Sequence, residues 1–263
     1  MPGRAQSRAV EEPVVAELGG GPLPYTLRRS SRARRIRVVV DPARGVVVTV
    51  PGSRRIDGAE GRRIAAAFVA EREDWIRGHL ARQARQQEAA AERGPVAADA
   101  RVLFLGRDHR LVFVPAPPSA RRSSVIHDGG ASELLVRLAR SDARSAADVL
   151  SGWSRNRARQ AIEAAVLHNA SALGVSPTAV TIRDQRTRWG SASRNGRLSF
   201  SWRLILAPPE ALETVVVHEL AHLRVFGHGP GFWALVSSRR PDHRAWRRWL
   251  REHSLELHAT FGE

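Results

Sequence analysis

The chain has 263 residues, enough for one good core or two small ones, and its lack of cysteine excludes disulfides and thiolate metal sites. Its 42 basic residues, every one of them arginine, outnumber 26 acidic ones and give a formal net charge of +16. No apolar run is long enough to span a bilayer and the N-terminus carries no continuous apolar stretch, so a cytoplasmic protein with no membrane partner is expected.

In chain order, residues 1–22, with Gly19-Gly20-Gly21 and scattered proline, read as a flexible tail. Two β-type runs follow, Arg35–Val40 and Val46–Val50, joined by the turn-like Asp41-Pro42-Ala43-Arg44-Gly45. One long helix is expected from Gly58 to Glu92, with Ile64, Phe68, Trp75, Ile76 and Leu80 at helical spacing and Gly94-Pro95 as its stop. Strand-like pieces then appear at Val102–Leu105, Leu111–Val114, Val125-Ile126 and Leu134–Leu138, with no convincing internal repeat. A second long helix spans Ala143–Leu173, stopped by Gly174, with Arg155–Arg159 facing water. Strands follow at Val180–Arg183 and Arg197–Leu206. Three regions result: the tail, a β-rich region over 23–140 containing the first long helix, and a C-terminal domain over 141–263.

The C-terminal domain carries the chemistry. In His218-Glu219-Leu220-Ala221-His222 two histidines stand four apart, so on a helix their imidazoles lie on one face and converge on one cation. Glu219, one residue on from the first, reaches a metal-activated water without ligating the metal. Pro208-Pro209-Glu210 upstream is a helix start, because proline fits the first turn and a carboxylate favours the positive end of the dipole. Val215-Val216-Val217 implies a helix buried on more than one side, where unpartnered polar groups are costly and a metal would satisfy both imidazoles. Gly227 can end the helix in a left-handed turn and return His228 as a third ligand, with Glu252, His243 and His253 as competing donors. Asp242 is a candidate to orient a ligand imidazole. Arg188, Arg203 and His243 are candidates for stabilising an oxyanion, since the sole tyrosine, Tyr25, is distant in sequence. Leu198–Trp202, including Phe200, and with it Arg203, is the candidate strand for holding substrate backbone through unfilled ladder hydrogen bonds. Phe232, Trp233, Trp246, Trp249 and Leu250 read as an apolar wall behind the site.

Four pieces of the sequence resemble the YgjP-like metallopeptidase domain family, relatives of the SprT-like zinc proteases. They are Arg188-Trp189-Gly190-Ser191-Ala192-Ser193, Leu198–Leu204, His218–His228, and Phe232-Trp233 with Arg248-Trp249-Leu250. More loosely, Tyr25, Arg28–Arg37, Val46–Pro51 and Trp75-Ile76 fit the family's N-terminal layout. The resemblance implies an α+β fold: a zincin-like metallopeptidase core with an active-site helix and a small sheet, preceded by the β-rich N-terminal region. It further implies one Zn2+ held by His218, His222 and His228, Glu219 as catalytic base, and a protein or peptide substrate. The chain departs from the family at Ala192, where cysteine is common; it reads as a packing position.

The expected activity is therefore zinc-dependent peptide hydrolysis. Two alternatives use the same features: a nucleic-acid-associated protein with a structural zinc, and a zinc hydrolase of a non-peptide amide. The arginine-rich surface admits nucleic acid as a partner, with an attraction that weakens steeply with salt.

Overall fold

The computed structural model describes residues 9–261 except 42, 53–57, 93–95 and 186. The chain divides into two compact units, Met1–Arg85 and Gln86–Glu263. In the first unit four strands, β1 (Val10–Leu18), β2 (Gly21–Ser30), β3 (Arg37–Asp41) and β4 (Gly45–Pro51), form one sheet in the order β1-β2-β4-β3. The central β2–β4 pair is parallel and both outer pairs are antiparallel. Period-two alternation turns Leu23, Tyr25 and Leu27 of β2 to the same face as Val46, Val48 and Val50 of β4. Ala65 and Val69 of α1 (Gly58–Glu71) and Ile76 of α2 (Glu73–Glu92) complete this core.

Two expectations fail in this unit. Val10–Leu18 is an edge strand rather than part of a tail, paired residue by residue with Leu18 opposite Gly21 and Val10 opposite Arg29. Pro13, Pro22 and Pro24 disguise it; an edge position and the end of β2 beyond its pairing with β4 tolerate the missing N–H groups. The single long helix is two, breaking at Arg72, whose N–H turns back to the Val69 carbonyl at 3.1 Å. The predicted stop at Gly94-Pro95 lies outside the described residues.

The second unit opens with β5 (Arg101–Phe104), β6 (Arg107–Phe113), β7 (Ser124–Asp128) and β8 (Glu133–Arg137), in the order β5-β6-β8-β7. The β6–β8 pair is parallel and its flanks antiparallel, the same connection pattern as in the first sheet. The 28-residue α3 (Ala146–Leu173) follows, capped by Ser145 and Asp148 in a reciprocal box and ended by Gly174 at φ 62°. A three-stranded sheet comes next: β9 (Ala179–Arg183), β10 (Gly190–Ala192) and β11 (Arg197–Ser201), ordered β10-β11-β9. A 3-10 turn, Trp202–Leu206, leads into α4 (Pro209–Ala221), then α5 (Pro230–Arg239), α6 (His243–Glu252) and α7 (Ser254–Ala259).

The fold is α+β, with the motif-bearing α4 set against the small sheet. One continuous core joins Leu111, Leu134 and Val136 of the four-stranded sheet to Leu150 and Ile162 of α3, Phe200 of β11, and Val216 and Leu220 of α4. A domain boundary near residue 140 is therefore replaced by one near residue 85, because the apolar faces of β6 and β8 pack into the same core as the motif helix.

Candidate metal centre

The placement of α4 begins at the β5–β6 hairpin. Its tip, Leu105 and Gly106, takes φ 53° and 74°, and the two N–H groups donate to the carbonyls of Ile205 and Leu206, each at 2.9 Å. Pro208 and Pro209 start the helix directly afterwards. Val215, Val216, Val217, Leu220 and Ala221 are buried, so the helix cannot rotate without exposing apolar surface. The chain leaves the helix after Ala221, Arg224 donates to the Leu173 carbonyl at 3.1 Å, and Gly227 at φ 89° turns it back.

That turn brings His228 to the motif. Its Nε2 lies 3.2 Å from the Nε2 of His218, and one ring nitrogen from each of His218, His222 and His228 falls within 4.8 Å of the others. The His222 Nδ1–H points at the Val225 carbonyl, 3.3 Å away, which leaves Nε2 free as a donor to a cation. Phe232 packs its buried ring against all three imidazoles at 4.9, 4.4 and 4.9 Å, and Trp233 stacks on His228 at 5.6 Å. Burial, followed by the neighbouring His222 and His228, pushes the His218 ring down to about 3, so it is neutral at neutral pH. Three imidazole nitrogen donors with one orienting carbonyl fit a divalent metal such as zinc in number and kind.

Glu219 is buried beside them, 7% exposed. Burial pushes its carboxyl up to about 7, against the charge of Arg188 and an N–H from Ala192. Gly190 on β10 is required by this arrangement: a Cβ there would sit 2.7 Å from Glu219 Cγ and 2.8 Å from Oε1. A cleft of about 470 Å³ opens over the site, with Trp189, Val215 and Leu250 as apolar lining and Arg188, Arg247 and Arg251 as cations.

The other residues singled out from sequence lie elsewhere. Leu198 and Phe200 belong to β11, which is the central strand of its sheet with both edges filled, and their side chains are buried. Trp202 and Arg203 lie not in a strand but in the 3-10 turn, also buried. Arg203 pairs with Asp184, to which Arg155 also donates at 3.0 Å, so Arg155 is half-buried over Trp202 rather than free in water. A strand filled on both sides cannot add a substrate backbone; β10 and β9 are the outer strands, and β10 is the one that lies against Glu219.

Asp242 accepts from the Trp246 indole at 2.6 Å and from Arg240 at 2.9 Å; it starts α6 and touches no ligand imidazole. His243 stacks on Trp233 at 5.2 Å and meets the Ser237 hydroxyl, while the His253 Nδ1–H donates to the Trp249 carbonyl. Tyr25 is in the core of the other unit. Sequence reasoning missed Gly190 and Arg247 as site residues. The signal for Arg247 is its spacing from Arg251, four apart on one face of α6.

A converging imidazole triad beside a buried carboxyl, open to a cleft, is the arrangement of a metal-dependent hydrolase centre. The model of the YgjP-like family, metallopeptidase domain, matches residues 34–253, and the chain belongs to this family. It is thus a metallopeptidase, of a zinc-type peptidase family whose substrates are proteins or peptides. Among solved structures it is similar to the metallopeptidase zymogen abylysin of Pyrococcus abyssi, at 22% identity over 35% of this chain and 93% of that one, with a TM-score of 0.32. No curated protein matches the chain. Among the described residues no helix is long and apolar enough to cross a membrane.

Proposed function

We propose that the chain hydrolyses peptide bonds with a single zinc ion held by His218, His222 and His228 and with Glu219 as general base. When bound, zinc supplies Lewis-acid polarisation of the scissile carbonyl and of the attacking water. Glu219 does the proton work. Its buried carboxyl takes a proton from the water and returns it to the leaving amide nitrogen. The observation that carries this reading is the triad of nitrogen donors within 4.8 Å beside that buried carboxyl.

Substrate backbone is held by β10 rather than β11. Trp189 accepts from the Ser201 N–H and Ser193 donates to the Arg197 carbonyl, both at 2.9 Å, so antiparallel alternation turns the polar groups of Gly190 and Ala192 away from β11. The Ala192 N–H reaches Glu219; the Gly190 groups and the Ala192 carbonyl are left to pair with an extended peptide. Of the three oxyanion candidates Arg188 takes the role, since Arg203 is bound to Asp184 and His243 is covered by Trp233.

The test is zinc content beside cleavage of a denatured protein. Wild type should hold one zinc and cleave; Glu219→Gln should keep zinc and lose about 10³-fold in rate; His222→Ala should lose both. Full activity in Glu219→Gln would remove Glu219 as the base. A structural zinc is disfavoured, because such sites are closed by four protein ligands and only three donors converge among the described residues.

A polyanion site in the first unit is a separate reading with its own support. Arg28, Arg32, Arg34, Arg35 and Arg37 line one recess of about 510 Å³ at the end of β2 and the start of β3. Nucleic acid phosphates fit this chemistry, and DNA affinity should then fall steeply with salt and drop on Arg34→Gln. A salt-independent affinity, or none, would eliminate it.

A further inference from the structure

The cleft over the metal centre is unequally furnished. Its lining holds one carboxyl, Glu219, against three guanidinium groups, Arg188, Arg247 and Arg251. Elsewhere in this unit several buried or half-buried arginines are held by polar partners: Arg203 and Arg155 by Asp184, Arg240 by Glu213 and Asp242, and Arg239 by Asn169. Arg247 is not matched in this way; among the described residues it makes no ion pair. Its guanidinium is instead laid over the Trp233 ring at 4.3 Å, and Trp233 stacks on the metal-site His228. The cation is therefore held in place by an aromatic face rather than by a partner charge, at the edge of the reacting region. Burial and then the charge of Arg251 lower its pKa, an unfavourable placement that an incoming anion would relieve. A guanidinium remains charged under any such shift and presents a planar fork matched to a carboxylate.

We propose that Arg247, with Arg251 one helical turn further along α6, recognises a carboxylate on the peptide close to the bond to be cut. This deepens the peptidase reading and rests on it: the favoured substrates are acidic peptides, the carboxylate coming from an Asp or Glu side chain or from a free C-terminus. Position matters as well as charge, since the overall charge of +16 attracts any acidic peptide but only a carboxylate at one register meets the fork.

The test has a binding arm and a cleavage arm, both on the full-length chain. In the first, metal-free protein is titrated into labelled, otherwise neutral peptides in which one Glu, or its Gln counterpart, is moved along the sequence, each with a free or amidated C-terminus. Wild type should bind one Glu register, or the free C-terminus, about tenfold more tightly than its neutral counterpart, the free-energy scale of one charge-assisted bidentate contact. In Arg247→Gln that ratio should fall to about one, and in Arg247→Glu it should invert. In the cleavage arm the zinc-loaded enzyme should show the same register in kcat/KM. A free C-terminus as the preferred anion would make the enzyme trim chain ends; a side chain would make it cut within them. A ratio independent of register, or unchanged in Arg247→Gln, overturns the proposal. Register-specific binding without cleavage of any peptide would leave carboxylate recognition standing and overturn the peptidase reading instead.

Discussion

The two four-stranded sheets share strand order and pairing directions yet do different work. Each turns its second hairpin with an aspartate: Asp41 accepts from the N–H groups of Ala43 and Arg44, and Asp128 from those of Gly130 and Ala131. Each uses its first hairpin tip to hold a later segment. In the first unit Gly20 donates to the Glu73 carboxylate of α2, a long side chain shared with Arg77. In the second unit Leu105 and Gly106 donate to main-chain carbonyls just ahead of α4. A side chain can swing and a backbone cannot, so the same device is an accessory clasp in one sheet and a fixed mount for the metal helix in the other. The core says the same. The first sheet closes its own small core, whereas the second contributes Leu111, Leu134 and Val136 to the core that holds α4.

The largest effects should come from emptying each core in turn. Leu27→Ala and Leu134→Ala each remove a fully buried leucine and should each cost about 2–5 kcal/mol. Two compact units need not melt as one, so calorimetry should show Leu27→Ala lowering one transition with zinc content and cleavage retained. Leu134→Ala should lower the other transition and weaken zinc retention with it. Loss of zinc by both variants to the same degree would break the comparison.

The hairpin tips give a sharper contrast. At Gly106 a Cβ would lie 2.5 Å from Pro208 Cγ and 2.7 Å from its backbone nitrogen, at φ 74°. Gly106→Ala should therefore cost about 3 kcal/mol and reduce zinc affinity, because Pro208 begins the metal helix. At Gly20 the obstructing atoms are the far ends of Arg77 and Glu73, so Gly20→Ala should cost at most about 1 kcal/mol and leave zinc untouched. Urea denaturation and zinc competition on both variants check this.

Among the described residues the second unit alone carries a pH-dependent cost near neutrality, through Glu219 as pH rises and through the depressed His218 as pH falls. The folded pKa of Glu219, about 7, lies above the ordinary 4.5, so folding favours the protonated form. That contribution is fully present below pH 4.5 and is lost as pH rises through 7. In metal-free protein Glu219→Gln should exceed wild type in stability by about 2–3 kcal/mol at pH 8, with the gap closing toward pH 4.5. A gap of constant size across that range would mean the carboxyl is not held protonated by its surroundings. Tyr25, the buried titratable group of the first unit, is also raised, chiefly by burial, but from 10.0, so it adds nothing in this range.

Legibility in the sequence followed the range of the interactions. Ser145, Gly174, the Pro208-Pro209 start and the Gly227 turn act through their nearest neighbours, and the elements they bound were readable to within a few residues. The convergence of His218, His222 and His228 was foreseeable for the same reason: a helical face and one glycine turn fix it. What failed depends on pairing across the chain. Strand β1 hides behind Pro13 and a Gly-rich turn, and only its register with β2 reveals it. Whether β10 or β11 is an outer strand depends on β9, which fills the far side of β11 through a parallel pairing across a segment that contains β10 itself. The shared topology of the two sheets left no repeat in the sequence, because alternation and turn residues suffice to build it.

The smallest effect tests whether a local device in the second unit stays local. The Ser145 hydroxyl caps α3 by accepting from the Asp148 N–H at 3.1 Å, and the Asp148 carboxylate accepts from the Ser145 hydroxyl and N–H. Hydrogen bonds from the Ser145 side chain, then its backbone, hold the Asp148 pKa below the usual carboxylate range. A depressed carboxylate contributes stability above its unfolded pKa and loses it as pH falls through the folded one. Ser145→Ala should therefore cost about 1 kcal/mol at pH 7, confined to the transition that Leu134→Ala lowers, and the cost should narrow in acid. Because α3 packs against α4 deep in one core, a loss at its first turn should leave zinc content unchanged. A fall in zinc content would mean that the far end of α3 and the metal helix move together, and that the mount for the site extends well beyond the hairpin tip.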